Sequence, residues 1–216
     1  MDIERDGRRY AKGCECLEVK RAEKRLKNSG LTEAFRQCRF DNTEVWNWSV
    51  KACLEKAKEY VQTVIESPDR RPSFMLLGQV GAGKTHVGVA IANALMAKKV
   101  GVVYWHYKEL MRELKGNCMD QEAYGRILGR LIQVPVLFVD DAFKGRTDAD
   151  IKYMYDIVNE RYLRKKPVIL TSELTAKELL EVDEAIGSRL IEMGEGWTHT
   201  FPNDSRHNFR LRSLMG

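Results

Sequence analysis

Apolar residues along this chain recur with two different periods, and the switches between them mark out the elements. From Trp46 they fall at helical spacing through Val50, Leu54, Ala57, Val61 and Val64. This predicts one long helix that opens at Asp41, with Glu44 placed as in a capping box, and ends at Ser67-Pro68. Short apolar blocks follow at 73–77, 100–105, 136–139 and 167–171, each read as a strand. The block 136–139 contains no polar residue, as expected where both faces of a strand are covered. Between the blocks lie helical patterns over 85–97, 107–114 and 121–132. A further helix face is marked by Ile151, Met154, Tyr155, Val158 and Tyr162. Thr175 and Glu178 signal one more helix through a second capping box. Strands alternating with helices predict an α/β fold with a mostly parallel sheet and helices on both faces.

The N-terminal residues break this rhythm. The stretch 20–27 carries five basic residues among eight and allows a short basic helix, stopped by Asn28-Ser29-Gly30. Residues 1–40 are therefore read as a basic, helical N-terminal extension, and 41–216 as the α/β domain. At 216 residues the chain has room for that domain and a modest extension. The hydrophobic share of 44% and charged share of 31% describe a soluble globular protein. No apolar run approaches the ~20 residues that cross a bilayer, and the start lacks the apolar core of a secretory leader. The five cysteines follow no framework spacing, which predicts reduced thiols in the cytoplasm. A net charge of +5 permits a polyanionic partner without requiring one.

The candidate chemistry begins at Gly78-Gln79-Val80-Gly81-Ala82-Gly83-Lys84-Thr85, a complete phosphate-binding loop between a predicted strand and a predicted helix. Glycines let backbone N–H groups close around an anion, and the helix N-terminus adds its unpaired donors. Lys84 is suited to the β and γ phosphates, and the Thr85 hydroxyl to Mg²⁺. The site therefore predicts a nucleoside triphosphate and Mg²⁺ as ligands. Asp140-Asp141 closes the apolar strand 136–139. Asp140 is assigned to the metal, and Asp141 to orienting or deprotonating the attacking water. Two adjacent carboxylates repel one another unless a cation stands between them. Thr171-Ser172-Glu173 ends the next strand, where a polar side chain would reach the γ-phosphate. Arg189 lies in Ala185-Ile186-Gly187-Ser188-Arg189-Leu190, near the end of a short helix.

Together, Gly-Lys-Thr-His at Gly83–His86, the paired aspartates, Thr171 to Leu174 and Gly187 to Leu190 resemble the DnaC/DnaI branch of AAA+ ATPases. These are helicase loaders, with the IstB transposition ATPases as close relatives. The basic segment 20–31 resembles the one that precedes the ATPase domain in that branch. The resemblance implies an AAA+ P-loop NTPase with a central five-stranded sheet and no full lid domain, and it makes the nucleotide ATP. It implies that His86 joins the nucleotide-binding loop, and that Ser172, beside Glu173, is the sensor where many relatives carry Asn. Arg189 would be an arginine finger acting on a neighbouring subunit's nucleotide, which makes a homo-oligomer. Arg210 would be the second sensor, with Arg206 as the competing choice. Cys14 and Cys16 resemble the last cysteine pair of an upstream helicase-binding region; with Cys38 they supply three of the four ligands that zinc needs.

The resemblance also implies partners: single-stranded DNA and a replicative helicase of the DnaB type. Tyr107, Lys108, Lys144 and Arg146 are the DNA candidates, through backbone neutralisation and base stacking. The leading expectation is thus a cytoplasmic, ATP-hydrolysing helicase loader that assembles on single-stranded DNA. An IstB-like transposition helper, a nucleotide-switched DNA scaffold and a P-loop small-molecule kinase are the alternatives. Trp46 and Trp48 are read as core or interface anchors rather than as platforms for a base.

Overall fold

The computed structural model describes residues 2–5, 8–11, 37–69 and 71–214. Strands β1 (Asp2–Arg5) and β2 (Arg8–Ala11) pair antiparallel in a separate hairpin. The basic helix expected over 20–27, and Cys14 and Cys16, lie outside the described residues.

The long first helix, α1, is Trp48–Glu66, so it opens later than the expected Asp41. Side chain and backbone compete here. Thr43 Oγ1 donates to the carbonyl of Arg39, whose N–H donates to Asn42 Oδ1, closing a turn before the helix. The cap is instead Asn47, whose Oδ1 accepts from Val50 N at 2.9 Å. Its apolar face buries Val50, Leu54, Ala57, Val61 and Val64, as the periodicity requires.

The order then runs β3 (Phe74–Gly78), α2 (Lys84–Ala97), β4 (Val102–His106), α3 (Tyr107–Gly116), α4 (Gln121–Gln133) and β5 (Val136–Asp140). It continues with α5 (Asp148–Leu163), β6 (Val168–Thr171), α6 (Ala176–Val182), α7 (Glu184–Met193) and β7 (Thr198–Phe201). The strands form one parallel five-stranded sheet in the order β4-β5-β6-β3-β7. Strand β7, Thr-His-Thr-Phe, carries no apolar block, and the hydrophobic pattern does not locate it. Two 3-10 turns, Ser205–His207 and Phe209–Leu214, follow it. Among the described residues no α-helix comes after β7.

Alternation along each strand builds two cores. Phe74, Leu76, Phe138 and Ile169 face α1 and α2, while Met75, Leu77, Leu137, Val139 and Leu170 face the helices of the opposite layer. Cys38 and Phe40 pack with the first of these cores. Arg161 of α5 is fully buried and donates to five carbonyls, at 2.6 Å to Leu131 and to Pro167 and at 3.1–3.3 Å to Ile132, Val134 and Pro135. It thereby ties the end of α4 and the approach to β5 to the approach to β6. Because the sheet is parallel, the carboxyl ends of β3, β5 and β6 meet along one edge, and the polar residues gather there. None of the helices among the described residues is long and apolar enough to cross a membrane.

Candidate functional site

The segment between β3 and α2 is the expected phosphate loop. Gly78 has φ +92°, and a Cβ there would lie 2.3 Å from the carbonyl oxygen of Phe201. Gly81 has φ +71°, and a Cβ would lie 2.0 Å from Asn208 Oδ1. At both positions glycine alone fits, on conformational and steric grounds together. Lys84 is buried and folds back into the loop, donating from Nζ to the carbonyls of Gly78 and Gln79 at 2.7 Å each. Burial draws its amine down to about 8. An anion in the loop would oppose that effect and draw the amine toward itself.

Asp140 ends β5 almost fully buried. Its Oδ1 accepts from Thr85 Oγ1 at 2.9 Å and Thr171 Oγ1 at 2.6 Å, and its Oδ2 from Tyr104 at 3.1 Å. Burial raises its pKa, against the pull of those hydroxyls. Asp141 turns the other way, in the left-handed region at φ 53°. Its N–H donates to Thr171 Oγ1 at 2.8 Å, and its Oδ2 stands 3.7 Å from His106 Nε2 and 3.8 Å from Lys144 Nζ. The His106 imidazole beside it, foremost, holds the Asp141 carboxyl below its usual range. The two adjacent acids thus divide: one is buried under hydroxyls, the other ionised and turned to the pocket.

A pocket of about 400 Å³ opens over the loop. Val80 to His86 line it, with Asp141, Lys144 and Glu173 on the strand-end side. Asn42, Thr43, Glu44, Trp46 and Val50 form a second wall, and Phe209 and Arg210 a third. Those two walls are clipped together. The rings of Trp46 and Phe209 lie 4.8 Å apart, and Arg212 sits 4.1 Å over Phe209 while pairing with Glu44. The N–H of Phe209 donates to the Gly81 carbonyl at 3.0 Å, fastening the tail to the loop. Among the described residues Trp46 Nε1 is buried without a partner. The Cys38 thiol, raised to about 11 by burial, lies 3.3 Å from His86 Nδ1.

Several sequence expectations change. Ser172 is fully buried and donates to the carbonyl of Ala142 at 2.8 Å, so its hydroxyl does not face the pocket. Thr171, one residue earlier, is the side chain that touches both aspartates, because neighbouring positions at a strand end point to opposite faces. Arg210 lines the pocket; Arg206 is exposed and pairs with Asp204 at 2.5 Å. Tyr107 is buried against Phe143 and is not a surface residue for DNA. Lys144 is held by Glu173 and Asp141 at the lip of the pocket. Lys108 and Arg146 are exposed. Trp46 proves to be a pocket wall, whereas Trp48 is 67% exposed beside His207. Arg189 stands apart from this pocket, in a groove on α7. Among the described residues no three His, Cys, Asp or Glu side chains gather as a metal cluster.

The model of the IstB-like ATP binding protein family matches residues 63–191, which spans the phosphate loop, both aspartates and Arg189. The chain belongs to that family. This IstB-like chain is 41% identical over 190 residues to the phage-like element PBSX protein XkdC of Bacillus subtilis, covering 83% of this chain and 70% of that protein. It is 25% identical over 175 residues to the replicative helicase loader DnaC of Escherichia coli, covering 79% and 68%. A crystal structure of the DnaC helicase loader superposes with a TM-score of 0.65 at 23% identity, over 79% of this chain and all of that one. The fold of this family member is therefore that of the AAA+ P-loop ATPases, and its family is one of ATP-binding proteins.

Proposed function

We propose that this protein is an ATP-hydrolysing loader of a replicative DNA helicase, working in the cytoplasm. The observation that carries the proposal is the division of the site. Lys84, Thr85 and Asp141 line one pocket, with Asp140 buried behind it on the Thr85 hydroxyl, while Arg189 lies in a separate groove of the same subunit. A catalytic arginine placed there serves only a neighbouring subunit, so hydrolysis depends on assembly. The similarity to the replicative helicase loader DnaC supports a replicative helicase, which we take to be of the DnaB type, as the partner.

The donor set around Asp140 fits Mg²⁺: a buried carboxylate facing the Thr85 hydroxyl, hard oxygen donors whose burial cost a cation would offset. When bound, the ion neutralises charge on the β and γ phosphates. Lys84 leaves its two carbonyls for the phosphates, and the loop N–H groups hold them. Asp141 orients the attacking water and accepts its proton as the bond from the γ-phosphorus to the bridging oxygen breaks. Thr171 keeps both acids in place, and Glu173 with Lys144 guards the lip. Arg210, rather than Arg206, contacts the nucleotide from the same subunit. The base rests against Trp46 and Phe209. For single-stranded DNA, the exposed Lys108 shares a groove with Arg112 and Lys115, and Arg146 lies close by in the chain.

The test is ATP turnover per subunit against protein concentration, with and without single-stranded DNA, for wild type and Arg189→Ala. Turnover that climbs with concentration and DNA, and falls about a hundredfold or more in the variant, is the expected result. Flat, DNA-independent turnover that survives the substitution would send the reading to a small-molecule kinase. The family match favours a second reading, a transposition helper or DNA scaffold. Capture of a transposase rather than a helicase from host extract by the full chain would select it.

A further inference from the structure

Helix α7 presents Arg189 at an open groove of about 510 Å³ that it shares with Tyr162, Glu184 and Glu192. Nη1 donates to the Ala185 carbonyl at 2.7 Å, one turn back along the helix, and Nε is buried without an acceptor. The guanidinium carbon lies 5.4 Å from the centroid of the Tyr155 ring and 5.7 Å from that of Tyr162. Both are inside the ~6 Å at which an aromatic face attracts a cation. Among the described residues Arg189 forms no ion pair with a carboxylate. Glu192, an acid on the same groove three residues along α7, accepts the Tyr162 hydroxyl at 2.9 Å. Glu184, in the first turn of α7, is the other acid on the groove.

We propose that Tyr155 and Tyr162 are positioning residues for Arg189: a two-ring cradle that holds the guanidinium in place while leaving its charge free for an anion on another subunit. This rests on the reading of Arg189 as the trans-acting arginine. A carboxylate partner would also hold the side chain, but that ion pair must break before the arginine can meet a phosphate. Aromatic faces fix its position by quadrupole attraction and contact, without neutralising it. Pre-ordering the arginine removes part of the entropic cost of completing the site. Tyr162 acts twice, since its ring faces Arg189 and its hydroxyl keeps Glu192 occupied.

The two functions of Tyr162 separate in a small set of variants, assayed at a subunit concentration that saturates turnover with single-stranded DNA. Tyr155→Phe keeps the ring and leaves kcat unchanged, whereas Tyr155→Ala lowers it about fivefold. Tyr162→Phe keeps the ring but frees Glu192 to pair with Arg189, so kcat falls about fivefold. Adding Glu192→Gln to Tyr162→Phe restores it to within about twofold. Nucleotide Kd in dilute protein stays at the wild-type value in every variant, because the cradle lies outside the pocket that binds ATP. Equal melting temperatures for Tyr155→Phe and Tyr155→Ala separate positioning from folding. Wild-type kcat in Tyr155→Ala and Tyr162→Phe, with Arg189→Ala inactive, overturns the cradle alone. An unchanged Arg189→Ala overturns the trans-acting reading, and the cradle with it.

Discussion

Helix α5 has an arginine on either side of it, and among the described residues neither pairs with a carboxylate. Toward the sheet, Arg161 is fully buried and donates to five backbone carbonyls. Burial draws it down to about 9, which still leaves it charged at neutral pH. Toward the surface, Arg189 of α7 lies against two α5 tyrosines with a single carbonyl partner. The same side chain thus serves opposite ends. Where both terminal nitrogens are spent on backbone carbonyls, the arginine is part of the fold. Where donors are left over beside an open groove, the charge is available to another molecule. Counting acceptors separates the two, and neither composition nor local sequence does.

That comparison can be broken most directly at Arg161. Arg161→Met should cost about 3–5 kcal/mol of stability, since it strands several buried carbonyls at once. Urea unfolding measures it, and a loss below about 1 kcal/mol would mean that the carbonyls find other partners. At the same scale Arg189→Ala should change stability by less than about 0.5 kcal/mol while abolishing assembled turnover. A loss matching that of Arg161→Met would erase the distinction.

The strand-end cluster gives a middle case, with Thr171 divided between structure and chemistry. Thr171→Val removes one donor to Asp140 and the acceptor for the Asp141 N–H, both in a buried setting. We expect a loss of about 1–3 kcal/mol and lower turnover, whereas Ser172→Ala should leave nucleotide binding intact. The smallest effect is a pH response. His199 on β7, 3.1 Å from Ser49 Oγ and repelled by Lys56, is drawn by burial down to about 4. The unfolded imidazole binds its proton near 6.5, so between these values the unfolded chain holds more protons and stability rises with pH. The contribution is complete above about pH 6.5 and fades as pH falls toward 4. Allowing for the partial exposure of the ring, about 1 kcal/mol should disappear between pH 7 and 5. His199→Asn should flatten that part of the profile in thermal melts.

Much of the phosphate side of the site was legible in the chain. A glycine-rich loop between an apolar strand and a helix, and acids directly after apolar strands, are local patterns with local causes. The misreadings have local causes too. Ser172 was favoured over Thr171 because the motif names both, and only the register of β6 selects the one that faces Asp140. Strand β7 escaped because Thr-His-Thr-Phe has little apolar character, although pairing along β3 makes it a strand. The start of α1 moved from Asp41 to Asn47 because residues 39–43 closed their own turn. Tyr107 looked like a surface aromatic and is packed on Phe143.

By itself the sequence determined the α/β alternation, the parallel sheet, the phosphate loop and the chemistry at the strand ends. Each of these follows from side-chain period or backbone freedom within a few residues. Tertiary structure alone decided how distant segments meet. It set Trp46 against Phe209 across the pocket, put Arg210 but not Arg206 on the pocket wall, and put the Tyr104 hydroxyl on Asp140. It also buried Arg161 among carbonyls while holding Arg189 between two rings. The physical reason is that hydrogen-bond satisfaction and ring packing are pairwise in space, and nothing local to either arginine specifies which acceptors will surround it.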